Sequence, residues 1–139
     1  MAGINKARLK WAAIGLAIIL TFVTGLALAA EIQRLSARQA KVLIDANNNN
    51  PKFVILDVRT PKEFSQGHIA GAVSLDYHNP KFVSGLKRLD TSKTYLIYCR
   101  SGNRSGRTLR LIDKMGFQKV YHLEHGIIGW QKEKLPLVK

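Results

Sequence analysis

From residue 31 onward the apolar positions switch repeatedly between helical spacing and short strand-like runs. Ile32, Leu35, Val42, Leu43 and Ala46 recur at helical spacing, which predicts a helix over 31–46 with Ser36 as an N-cap within it. Asn47 to Pro51 is a polar loop that ends it. Phe53 to Leu56 is a continuous apolar run of the kind buried on both faces of a parallel sheet. Thr60, Pro61 and Glu63 then form a helix start: an N-cap, a proline at the first position and an acid reaching back, with Gly67 as the stop. Ala72 to Leu75 reads as a second short strand and 79–86 as helical. Thr94 to Tyr98 reads as a strand, Gly106 to Met115 as a helix closed by Gly116, and Lys119 to His122 as the last strand. Gly129 and Trp130 lie on a final short helix. Alternating elements joined by short loops predict a three-layer α/β/α domain around a central parallel sheet. In such sheets functional loops sit at the carboxyl ends of strands.

The first 30 residues follow a different rule. Lys6, Arg8 and Lys10 precede a stretch from Trp11 to Ala30 that carries no charge, closed by Ala27-Leu28-Ala29-Ala30. A basic start, an apolar middle and small residues at the end read as a secretory signal peptide. The same stretch, at about 20 apolar residues, would also suffice as an uncleaved membrane anchor. Both readings export residues 31–139 as a single domain, to a periplasm or to the outer face of the cytoplasmic membrane. The 139-residue chain carries a net charge of +13, and about +10 remains without the three leader cations. That excess favours small anions and anionic headgroups as partners; nucleic acid is not expected for an exported domain.

The chain has one cysteine, so no internal disulfide can support the fold. Cys99 opens the run Cys99-Arg100-Ser101-Gly102-Asn103-Arg104-Ser105 between a strand and a helix. At such a turn several backbone N–H groups converge, and the positive end of the following helix points at the same spot. Two arginines add charge. This setting lowers a thiol's pKa and favours a nucleophilic thiolate over the commoner fate of a lone cysteine, a small buried hydrophobe.

Three segments together resemble the signatures of rhodanese-homology domains. Leu56-Asp57-Val58-Arg59-Thr60-Pro61-Lys62-Glu63-Phe64 with Gly67-His68-Ile69-Ala70-Gly71-Ala72 is similar to the first. Tyr98 to Ser105 resembles the active-site loop, and Leu123-Glu124-His125-Gly126-Ile127 with Trp130 and Leu135-Pro136 the C-terminal signature. The resemblance spans the domain and implies a small single-domain exported rhodanese. It implies a sulfurtransferase in which Cys99 takes sulfane sulfur from thiosulfate, polysulfide or a persulfide and yields it, as a persulfide, to cyanide or a thiol. It implies no metal or organic cofactor. Arg100 and Arg104 are expected to hold the donor's oxygens, Arg104 being favoured and Arg100 alternatively pointing to solvent. Ser101, Gly102, Asn103 and Ser105 complete the substrate-binding loop; Ser101 and Asn103 are expected to shape it through side-chain-to-backbone bonds, and Gly102 to take a positive φ so that the amides converge.

By the same resemblance Asp57, Arg59, His68 and Glu124 are scaffold. His122 and His125 form a His-x-x-His pair without a third metal ligand in view. Asn103-Arg104-Ser105 fits the glycosylation pattern but falls inside the loop. Two features depart from the family: His125 stands where a glycine is frequent, and Lys132-Glu133-Lys134 where a glycine-containing turn is usual. Two other functions compete. A persulfide carrier serving a partner protein would use the same cysteine. A phosphatase or arsenate reductase of the same superfamily would need a loop one residue longer than the one here.

Overall fold

The computed structural model describes residues 29–139. The expected leader lies, up to Leu28, outside the described residues. Five strands form one parallel sheet in the order β1-β5-β4-β2-β3. They are β1 (Glu31–Leu35), β2 (Phe53–Asp57), β3 (Val73–Ser74), β4 (Thr94–Tyr98) and β5 (Lys119–Leu123). The helices are α1 (Ala37–Ala46), α2 (Pro61–Gln66), α3 (Phe82–Lys87), α4 (Asn103–Ile112) and α5 (Gly126–Lys132). Among the described residues, no helix is long and apolar enough to cross a membrane.

Side-chain alternation along the central strands builds two cores. Tyr95, Ile97 and Cys99 of the β4 line pack with Val120 of β5 against Leu86 of α3 and Leu109 and Ile112 of α4. The intervening Leu96 and Tyr98 face the other way, onto Ala37 and Ala40 of α1 and Ile127 and Trp130 of α5. This is the expected three-layer architecture, and its period of two decides which layer each strand residue serves.

One element differs from the sequence reading. The predicted helix over 31–46 is a strand followed by a helix, with Ser36 between them. The Ser36 hydroxyl accepts from Gln39 N–H while the Gln39 side chain accepts from Ser36 N–H, a complete capping box. Residues 31–35 pair in register with 119–123 instead, and Glu31 N–H reaches Gln118 O at 2.9 Å. An edge strand with one mostly exposed face carries little alternation, so Ile32 and Leu35 fit either period; pairing with β5 decides. The second predicted capping box, Thr60 with Glu63 and Pro61 at the start of α2, is present as expected.

The unusual Lys132-Glu133-Lys134 turn has a cost. Lys134 sits at φ +54°, where a side chain crowds its own backbone. Relief of that strain in Lys134→Gly is worth about 1–2 kcal/mol, offset by about 0.5–1 kcal/mol of added chain entropy in the unfolded state. Chemical denaturation should therefore find the variant more stable by about 0.5–1 kcal/mol.

Candidate active site

The strand order brings Cys99 to the carboxyl end of β4, in the middle of the sheet. As the odd-numbered continuation of Tyr95 and Ile97 it points toward α4, whose N-terminus begins four residues later. Gly102 takes φ +99°, as expected, and turns the chain back so that its N–H donates to Cys99 Sγ at 3.1 Å. A Cβ at this position would lie 2.0 Å from the Glu124 carbonyl oxygen, so both conformation and space require glycine. The Ser105 hydroxyl, in the first turn of α4, donates to the same sulfur at 3.3 Å.

The loop's carbonyls are held from behind. Ile127 N–H donates to Cys99 O at 2.9 Å and Ile128 N–H to Arg100 O at 3.1 Å, both from the first turn of α5. Gly126 permits this approach, since a Cβ there would lie 2.4 Å from Cys99 O. With the carbonyls drawn toward α5, the N–H groups on the other side of the loop turn inward to the sulfur.

Only 1% of Cys99 is exposed. Burial pushes its thiol up, but the Ser105 hydroxyl and the N–H groups of Ser105, Gly102 and Ser101 outweigh it and leave the thiol below its ordinary value. From the sequence, a reactive loop cysteine and a buried one are alternatives. The structure unites them: the residue belongs to the apolar core, and its sulfur belongs to the loop.

The two arginines separate. Arg104, favoured from sequence as a ligand for donor oxygens, gives its guanidinium to Glu63 in a two-pronged pair at 2.8 and 2.7 Å. It contributes charge near Cys99, but its fork is filled. Glu63 also accepts from Thr60 N–H and the Thr60 hydroxyl, so one carboxylate ties α2 to the start of α4. Arg100 is exposed and has no ion-pair partner among the described residues. It lines a pocket with Arg59, Glu63 and Gln131. Ser101 and Asn103 are exposed on the loop's rim and make none of the expected side-chain-to-backbone bonds, the loop being held instead from α5; Ser105 is fully buried and meets the sulfur itself.

The remaining signature residues hold the scaffold. Arg59 clamps the buried Asp57 carboxylate at 2.6–3.0 Å and donates to Gly67 O at 2.8 Å. His68 stacks on Phe64 with ring centroids 3.7 Å apart and pairs with Val138 through backbone bonds. Glu124 meets Arg34 at 3.4 Å on the surface. His125 is the N-cap residue of α5, and its side chain makes no capping bond. For His122 the sequence offers only the His-x-x-His pair with His125. His122 is buried on the α4 side of β5, with Nε2 2.8 Å from the Ser105 hydroxyl oxygen. Its place follows from period-two alternation with Val120 and from pairing with Ile97, and only the second is absent from the sequence.

A family model described as Rhodanese-like domain matches residues 33–133. The chain belongs to the rhodanese-like family. This rhodanese-like domain is 32% identical over 108 residues to "Probable adenylyltransferase/sulfurtransferase MoeZ" of Mycobacterium tuberculosis; the match takes in 78% of this chain but only 28% of that longer protein. A protein of Allochromatium vinosum named "Sulfurtransferase" is 34% identical over 85 residues, 61% of this chain and 78% of the relative. Among solved structures, a rhodanese-related protein from Thermoplasma volcanium superposes with a TM-score of 0.65 at 27% identity, covering 76% of this chain and 97% of that one. These relatives support a sulfurtransferase-type role at the level of the family.

The Glu63–Arg104 pair makes a testable contribution to stability. Arg104 holds the Glu63 carboxyl down to about 2, against an ordinary 4.5, with Thr60 assisting and burial opposing. The folded value is the lower one, so the stability is present above about pH 4.5 and is lost as pH falls through about 2. Glu63→Gln should therefore be less stable at pH 7, and its unfolding free energy should fall less steeply than the wild type's between those two values.

Proposed function

We propose that this protein is a sulfurtransferase that carries sulfane sulfur on Cys99 as a persulfide. The observation that carries the reading is a buried sulfur held by the Gly102 N–H and the Ser105 hydroxyl at the carboxyl end of β4. A thiolate so held attacks the outer sulfur of thiosulfate, a polysulfide or a low-molecular-weight persulfide. With thiosulfate, the new bond joins Cys99 Sγ to the outer sulfur, the old sulfur–sulfur bond breaks, and its electron pair leaves with sulfite. The persulfide keeps the negative charge. In the return step an acceptor thiolate or cyanide attacks the outer sulfur, and the bond to Cys99 breaks with its electrons going back to Sγ. The inward amides stabilise negative charge throughout both steps. Arg100, exposed beside the loop, is placed to draw the donor's anionic end, while Arg104 is already paired with Glu63. That pairing also speaks against a phosphoryl substrate, which would want an open arginine fork.

The segment before residue 31 supports export of this domain, either cleaved or retained as an anchor. Its small-residue run ends where β1 begins, so cleavage there would leave the sheet whole.

With thiosulfate as donor and cyanide in excess, the wild type should form thiocyanate over many turnovers, and Cys99→Ser should reduce the rate to background. Arg100→Ala should raise KM for thiosulfate several-fold with a smaller change in kcat. Stoichiometric release of a single sulfur without turnover, with every small-molecule acceptor, would instead mark a carrier. Failure to form thiocyanate or to take up sulfur from any of the three donor classes would overturn the sulfurtransferase reading.

A further inference from the structure

His122 is a buried polar side chain to which the reaction above assigns no role. It is 4% exposed and lies beneath the loop, on the face of β5 that α4 covers. Ser105 Oγ stands between two partners, Cys99 Sγ at 3.3 Å and His122 Nε2 at 2.8 Å. A hydroxyl has one hydrogen, so this row of three atoms has two polarities. With Ser105 donating to an unprotonated Nε2, the sulfur loses that hydrogen bond and Oγ is left to accept one from the thiol, which favours the protonated form. With Nε2–H donating to Oγ, the hydroxyl hydrogen is free for the sulfur, which preserves the thiolate.

The other ring nitrogen chooses between them. Nδ1 is buried and has no hydrogen-bond partner among the described residues. The nearby Gly102 carbonyl favours a charged ring and takes the opening bond of α4 from Gly106 N–H at 2.8 Å, but it makes no hydrogen bond to Nδ1. A buried N–H without an acceptor is the rarer defect, so the ring's hydrogen is assigned to Nε2. The surroundings keep the ring at one hydrogen. Burial and the Arg34 charge from β1 hold it below the ordinary histidine value against the opposing pull of Glu124. Arg107 and Arg110 of α4 line the same pocket as His122, and Cys99 faces the row from β4.

We propose that His122 is a positioning residue that, as its Nε2–H tautomer, donates to Ser105 Oγ and thereby aims the Ser105 hydroxyl hydrogen at Cys99 Sγ. This rests on the reading of Cys99 as the sulfur carrier and adds what sets the direction of its hydrogen bond. In the first step the bond holds the attacking thiolate. In the return step the electron pair of the breaking persulfide bond comes back to Sγ, and the same hydrogen bond stabilises the thiolate that results. No proton is transferred to the ring, so protonation of His122 at low pH leaves Nε2–H, and the bond, in place.

The test is the pH dependence of Cys99 alkylation by iodoacetamide, which needs no sulfur donor and reads one thiol because the chain has one cysteine. Ser105→Ala should raise the midpoint by about one pH unit, the order of one hydrogen bond to a charged group. His122→Leu should raise it by a similar amount, and His122→Gln, whose amide can supply an N–H near the Nε2 position, should recover most of the shift. In the Ser105→Ala background, His122→Leu should add nothing further, because its effect passes through the hydroxyl. Should the Leu variant fail to fold, His122→Asn, with an amide too short to reach Oγ, gives the same reading. An unmoved midpoint in a folded His122 variant, or an equal shift with and without Ser105, overturns the proposal. Loss of sulfur transfer with these midpoints as expected would count against the proposed function and leave the positioning role standing.

Discussion

In the proposed function, Cys99 places a sulfur atom that must carry negative charge where water barely reaches it, and the rest of the domain is arranged around that conflict. Burial alone would keep the proton on the thiol. The opposing groups are few and fixed: the N–H groups of the loop and the hydroxyl of Ser105. Each can point at the sulfur only because something larger holds it. The first turn of α5 fastens the Cys99 and Arg100 carbonyls, Gly102 fits against the Glu124 carbonyl, and the start of α4 carries Ser105. The site is therefore a property of the sheet's carboxyl edge, where β4 and β5 end beside each other, rather than of the loop sequence alone.

Charge around the sulfur is organised in two rings. The inner one is nearly neutral and directional, made of amides, a hydroxyl and an imidazole. The outer one is formally charged but mostly self-paired. Asp57 with Arg59 locks the end of β2, and Glu63 with Arg104 locks α2 to α4. These pairs fix the end of β2 to the Gly67 turn and α2 to the start of α4. They also leave Arg100 as the exposed, unpaired cation of the loop among the described residues.

Much of this was legible in the residues, and what was not has a physical reason. The capping box at Thr60, the positive φ at Gly102 and the strand carrying Cys99 are local, and local chemistry announces them. The strand over 31–35 reads as helix from sequence because an edge strand with exposed polar residues has no period of its own until β5 supplies a partner. The commitment of Arg104 to Glu63 joins residues 41 positions apart, and no spacing rule reaches that far. His122 was visible only as half of a His-x-x-His pattern; its meeting with Ser105 depends on strand order and register, which a single sequence does not contain.

The central claim is that Cys99 alone carries the transferred sulfur, and intact-mass spectrometry of the purified protein tests it most directly. After incubation with thiosulfate, polysulfide or a low-molecular-weight persulfide, the wild type should gain about 32 Da, one sulfur atom. The added mass should disappear on treatment with cyanide and never appear in Cys99→Ser. An unchanged mass with all three donors, or the same gain in the serine variant, would contradict the account.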